Sequence, residues 1–356
     1  SWSDGKNWVP FQLNLPIVPI TDLCIKDDLL IAATQGRSIW TLDDLTPLRN
    51  GLPEVNLKKN FILPPKPTYR IDGSMNKKVI NAGINHPSEI MLYCFLDTVM
   101  ETDTINIFLL DQMRDTVSRF SNFPDDKTTS IELTSGSNLV LLNYRYPAAK
   151  SLDNMILWWS SLSGPKAAPG EYTARFRSGA DSADIAFTIL GDPNYATTNA
   201  EYEDQVNFLL AIRDKFSAVM KAMKNIKDVR QQLTDISGRA GKAIPRELKE
   251  QMDSINKQLT AIEEALHQTK AKSGQDVLNF PIRLDDKIAS VYNAAAAGNA
   301  APSKQAREAF AELTVLTDAQ LDKLKNVMDE DLKKLNQLIH EVKLPVVMPK
   351  REESSL

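Results

Sequence analysis

Residues 144–176, YRYPAAKSLDNMILWWSSLSGPKAAPGEYTARF, separate a strand-like part of the chain from an almost entirely helical part that follows Asp192. The end of this stretch alternates. Tyr172, Ala174 and Phe176 interleave with Thr173, Arg175 and Arg177, the period of two that turns one face of a strand to a core and the other to water. Gly164-Pro165 and Pro169-Gly170 punctuate the approach, because proline presets φ and glycine accepts dihedrals that other residues refuse. The stretch reads as two strands joined by a Pro/Gly-rich corner.

Outward from it, 356 residues exceed one ordinary core, so two or three domains are expected. With 42 Lys+Arg against 46 Asp+Glu and a net charge of −4, the chain lacks the basic excess of a nucleic-acid-binding surface. No apolar run reaches the ~20 residues that cross a bilayer. Cys24 and Cys94 each sit in an apolar, strand-like run and read as buried free thiols, with a disulfide between them left open. The sequence starts at Ser1 with neither an initiator Met nor a signal peptide, which suggests a fragment or a processed chain.

Residues 1–48 look like one unit of a repeat. SWSDGKNW opens on turn formers and closes on Trp8, and three short strand candidates follow, ITDLCI, LLIAAT and SIWTL. Their spacing suits a blade of a β-propeller, which needs about 4 to 8 blades to close, so its neighbours must be supplied from elsewhere. Residues 49–68 form a proline-containing linker that Pro64, Pro65 and Pro67 keep extended. Between 69 and 192 strand signals recur without intervening helices, in IMLYCFL, INIFLLD, SIEL, LVLLNYRYP, EYTARF and DIAFTIL. An antiparallel, immunoglobulin- or fibronectin-like β-sandwich is the expectation.

Residues 193–344 read as an antiparallel helical bundle. Leu209, Ile212, Phe216, Val219, Met223, Ile226 and Leu233 recur at steps of three and four, a coiled-coil-like seam over residues 201–236. Gly238 and Gly241 end that helix, and Pro245 starts a second with the stripe Leu248, Met252, Ile255, Leu259, Ile262 and Leu266. A third is expected over 285–297 and a fourth from Pro302 to Leu313. The last is expected to be capped by Thr317 with Gln320, and residues 345–356 to be a disordered tail.

Two sets of motifs resemble bacterial BNR-repeat (Asp-box), sortilin-like propeller proteins, often labelled glycosyl hydrolases. Ser1, Gly5 and Trp8 fall where the Asp-box has its Ser, Gly and Trp, and residues 33–48, ATQGRSIWTLDDLTPL, resemble a closing propeller strand. RYPAA, MILWW, GPKAAPGEYTARF and DPNY resemble the motif string of the domain that follows the propeller in that family. The family carries Trp-Asp before its Arg-Tyr-Pro, where this chain has Leu142 and Asn143. The resemblance implies an extracytoplasmic, non-catalytic C-terminal portion that binds or scaffolds a protein or a glycan. Its partners would be further propeller blades, in the same protein or in a second chain. The alternative is an accessory region of a glycoside hydrolase whose active site lies in other blades. A third reading makes the helices an oligomerisation device.

Candidate binding or interface residues are Trp158, Trp159, Arg145 and Tyr146. Paired tryptophans could stack on a sugar or pack in an interior. No catalytic, metal or cofactor residues are assigned. His86, His267 and His340 lack metal-ligand spacing, and His267 and His340 read as solvated helix-face residues. Asp43-Asp44 and Asp285-Asp286 are adjacent in sequence and so point apart, unlike glycosidase carboxyls that face each other at roughly 5 to 10 Å. SGRAGK reads as a helix-terminating turn.

Overall fold

A computed structural model describes residues 4–50, 60–71, 86–153, 155–158, 160, 163–240 and 244–342. The architecture is mixed β-sheets followed by helices, arranged as two compact units. One comprises Ser1–Tyr144 and Gly170–Leu190, the other Arg145–Pro169 and Gly191–Leu356.

In the β unit the strands in chain order are β1 (Ile20–Lys26), β2 (Leu29–Thr34), β3 (Ile39–Leu42), β4 (Phe61–Ile62), β5 (Thr68–Tyr69) and β6 (Ile90–Leu96). They continue as β7 (Ile105–Leu110), β8 (Thr116–Ser121), β9 (Thr129–Ser130), β10 (Gly136–Leu142), β11 (Gly170–Ser178) and β12 (Asp181–Leu190), with a short helix α1 (Thr46–Asn50) after β3. They form three sheets, ordered β1-β2-β3, β10-β6-β4 and β5-β12-β11-β7-β8-β9. The period of two is honoured by burial. Ile90, Leu92, Cys94 and Leu96 on β6 are buried, as are Ile105, Ile107 and Leu109 on β7 and Tyr172, Ala174 and Phe176 on β11. Each such apolar side chain contributes about 1.5–3 kcal/mol. Burial also pushes the Cys94 thiol up to about 12, so it stays protonated.

The sheets depart from the expected antiparallel arrangement at two places. β5 pairs parallel to β12, and β9 pairs parallel to β8. Both added strands are two residues long and sit at the two ends of the six-stranded sheet, where a segment arriving from a distance adds on without a hairpin. On the outward side, Arg175 grips Asp184 through both carboxylate oxygens at 2.7 and 2.8 Å, and Arg114 adds a third contact at 2.8 Å. Hydrogen bonds from Arg175 lead in lowering the Asp184 carboxyl to about 2.

The expected corner is also different. β10 ends at Leu142, and residues 145–169 belong to the helical unit, with a single bridge between Arg145 and Lys166 in place of a continuing strand. Ala149, Leu152, Met155 and Leu157 of this loop pack against the helical core. Its apolar residues, which read as strand, find their partners on helices.

The helices are α2 (Asn199–Ala240), α3 (Arg246–Leu266), α4 (Leu284–Ala296), α5 (Lys304–Asn326) and α6 (Leu332–Glu341). Thr198 and Glu201 cap α2 reciprocally: the Glu201 carboxylate accepts from the Thr198 N–H and the Glu201 N–H donates to Thr198 Oγ1. All six stripe residues of α3, Leu248 to Leu266, are buried. Arg230 of α2 donates to Asn256, Thr260 and Glu263 of α3. Thr317 is not a cap. It lies fully buried inside the continuous helix α5, which passes through a π-helical turn, Val327–Asp331, into α6. No Gly or Pro interrupts residues 303–341, so nothing stops the helix where a cap-like pattern occurs.

Candidate functional site

The sheet β1-β2-β3 differs from the other two in leaving much of its apolar surface exposed. Residues directly opposite in an antiparallel pair share a face. Leu23, Ala32 and Trp40 stand in one row, with Ile25, Leu30 and Leu42 in the next. The opposite face is mixed: Cys24, Ile31 and Thr41 form one row, flanked by Asp22, Ala33 and Ile39 on one side and by Lys26 beside Leu29 on the other. A wholly apolar face, with apolar residues on the other as well, is the pattern of a sheet that takes a cover. Yet every residue of β1 is exposed, Leu23 at 61%, and Ile39 across the sheet at 68%. Trp8, Val9, Phe11 and Ile17, just before β1, are exposed as well.

Polar contacts fasten this sheet to the rest of its unit. Asp28 lies in the β1–β2 turn and Asp44 just beyond β3. Lys66 Nζ stands 2.8 Å from Asp28 Oδ2 and 2.6 Å from Asp44 Oδ1, while Arg49 of α1 also pairs with Asp28. Asp44 further accepts from the Thr46 N–H at 2.9 Å. Burial favours a neutral Asp44, but the hydrogen bonds from Lys66 and Thr46 outweigh it and hold the carboxyl below the usual range. Lys66 follows the same balance in reverse: burial opposes its charge and the two carboxylates raise it. Asp44 is thus a buried partner of a cation rather than half of an acid/base pair with Asp43.

The four residues singled out from sequence lie elsewhere, in the loop of the helical unit. Arg145 Nη1 donates to the Gly164 carbonyl at 2.9 Å, and the Tyr146 N–H donates to the Pro165 carbonyl at 2.9 Å. Gly164 passes so close to Tyr146 that a Cβ there would lie 1.5 Å from the Tyr146 carbonyl oxygen. Arg145 and Tyr146 therefore close the loop on itself. Trp158 is 41% exposed, against the interior-packing reading, and what it contributes inward is its backbone N–H. Trp159 lies outside the described residues, as do Ser1, residues 51–59 of the 49–68 linker and the 345–356 tail.

That N–H leads to residues that sequence reasoning set aside. It donates to Asp286 Oδ2 at 2.7 Å, and Ser160 Oγ donates to Asp286 Oδ1 at 3.3 Å. The neighbouring Asp285 turns the other way, its Oδ2 2.6 Å from His267 Nδ1. His267 is not a solvated helix-face residue: it terminates α3 with its side chain 16% exposed, against 1% for Asp285. Burial works against a charged His267, but the Asp285 hydrogen bond, reinforced by Glu263 and Asp286, raises its pKa. Burial raises the Asp286 carboxyl despite the Trp158 N–H. The two acids serve different partners and face no common substrate. Among the described residues no group of three His, Cys, Asp or Glu could hold a metal ion, and no helix is long and apolar enough to cross a membrane.

Set against the known protein families, the curated proteins and the solved structures, the chain finds no match.

Proposed function

We propose that this chain is a non-catalytic binding and scaffolding piece of an extracytoplasmic, BNR-repeat, sortilin-like propeller protein. In it, β1-β2-β3 is one blade, the larger sheets are an immunoglobulin-like sandwich and the helices are a bundle. A single observation carries this reading: a three-stranded antiparallel meander with apolar residues on both faces, of which Leu23, Ile25 and Ile39 are left in water. A propeller blade is a four-stranded antiparallel sheet with a neighbouring blade against each face, and β1-β2-β3 would supply three of those strands. The occupants are therefore β-sheets, the other blades, in the same polypeptide or in a companion chain. Covering those three side chains alone contributes several kcal/mol at about 1.5–3 kcal/mol each.

Cys24 reports on the cover. It is exposed on β1, whereas Cys94 is buried and held protonated. In natively purified material, with intact mass and N-terminal sequencing of every chain, a maleimide should leave Cys24 unlabelled and further blades should accompany these residues. The 356-residue chain made alone should label one thiol rapidly. Equal labelling in both preparations, or native material consisting of this chain alone, overturns the proposal.

A further inference from the structure

A second feature of the β unit points to a small ligand, independently of what covers β1-β2-β3. Ile90, Leu92 and Cys94 turn one face of β6 into the core, so Met91, Tyr93 and, just before the strand, Glu89 lie on the other. That face floors a cleft of about 330 Å3, walled by the proline-rich segment that carries Lys66 and Tyr69. The volume is at the lower end of small-molecule sites, which run from about 300 Å3 upward.

The charges decide what fits. Asp28, Asp44, Lys66 and Arg49 neutralise one another, two acids against two bases. Glu89 is the charge left over: it is half-buried and has no hydrogen-bond or ion-pair partner among the described residues. Thr46 Oγ1, buried with no hydrogen-bond partner among the described residues, also belongs to a residue lining the cleft, and at the rim stands His86. Its Nδ1 lies 2.7 Å from the Pro87 carbonyl oxygen, which only a protonated Nδ1 satisfies, so Nε2 of the neutral ring is an acceptor. Glu89 and the His86 Nε2 thus accept hydrogen bonds and the Thr46 hydroxyl can accept or donate, while the walls are prolines, a methionine and the Tyr69 and Tyr93 rings. A half-buried carboxylate without a partner is unfavourable, and aromatic faces attract cations. We propose that this cleft binds an organic monocation with an apolar body, its ammonium or guanidinium group on Glu89.

The probes are benzylammonium, benzoate and benzyl alcohol, titrated calorimetrically into the full chain. Benzylammonium should bind saturably and the other two should not. Glu89→Gln should weaken benzylammonium about ten-fold or more, the worth of a charge-assisted hydrogen bond. Because Glu89 supports no other residue, the melting temperature of E89Q should match that of the parent, which separates lost binding from lost folding. Absence of saturable benzylammonium binding, equal binding of benzoate or benzyl alcohol, or unchanged affinity in E89Q overturns the proposal.

Discussion

Strand β1 and helix α3 carry apolar residues in regular patterns, but those residues end in opposite environments. In α3, Leu248, Met252, Ile255, Leu259, Ile262 and Leu266 are all buried by neighbours in the same unit. In β1, Ile20, Leu23 and Ile25 are all exposed. Periodicity reports what surface an element needs to bury, whereas burial reports whether this stretch of chain supplies the partner. The contrast is energetic, and mutation can break it.

Leu259→Ala, at a fully buried position of α3, should cost about 2–5 kcal/mol in urea denaturation, because transfer and cavity terms add. Gly164→Ala should follow closely, at about 3 kcal/mol, since the added Cβ meets the backbone of Tyr146 and a backbone atom cannot swing aside. Its loss should appear in the helical unit, where the loop belongs.

His267→Gln should cost about 1.5–3 kcal/mol, the range for a hydrogen bond to a charged group. This cost carries a pH signature. The folded pKa of His267 lies above its ordinary 6.5, so the stabilisation is complete below that pH and is lost as pH rises through the raised value. The gap between parent and variant should shrink as the buffer is made alkaline; a constant gap would mean that His267 acts by packing alone. Asp184→Asn should cost about 1 kcal/mol or less, given a partly exposed ion pair. Its sign is opposite: the Asp184 contribution holds above 3.8 and disappears as pH falls toward about 2. The smallest effect is expected from Ile25→Ala, within about 0.5 kcal/mol in the chain alone. If I25A proved as costly as L259A, β1 would be covered within this chain and the contrast would fail.

Legibility followed the range of the interactions. The α3 stripe is local and strong, so its residues could be named from spacing, as could the alternation of β6 and β11. Thr317 misled because Thr-x-x-Gln resembles a cap, although no breaker accompanies it. Residues 145–169 misled because an apolar run between prolines looks alike whether it lies on a sheet or on helices. The His267–Asp285 pair was out of reach, since 18 residues and a 3-10 turn separate its members and no spacing rule connects them. The cleft was hidden for the same reason: Glu89 is ordinary until Lys66 is seen to be spoken for by Asp28 and Asp44.

The route of the chain also bears on how it is made. β11 lies between β12 and β7 in the middle of the six-stranded sheet, yet it is synthesised after the loop that belongs with the helices. As the polypeptide leaves the ribosome, β7 to β9 emerge without β11 and β12, the strands that join them to β5 in their sheet. The loop emerges next and waits for α2 to α6. A gene cut at residue 144 would therefore part the β unit from its own β11 and β12, while residues 145–356 would keep every segment of the helical unit.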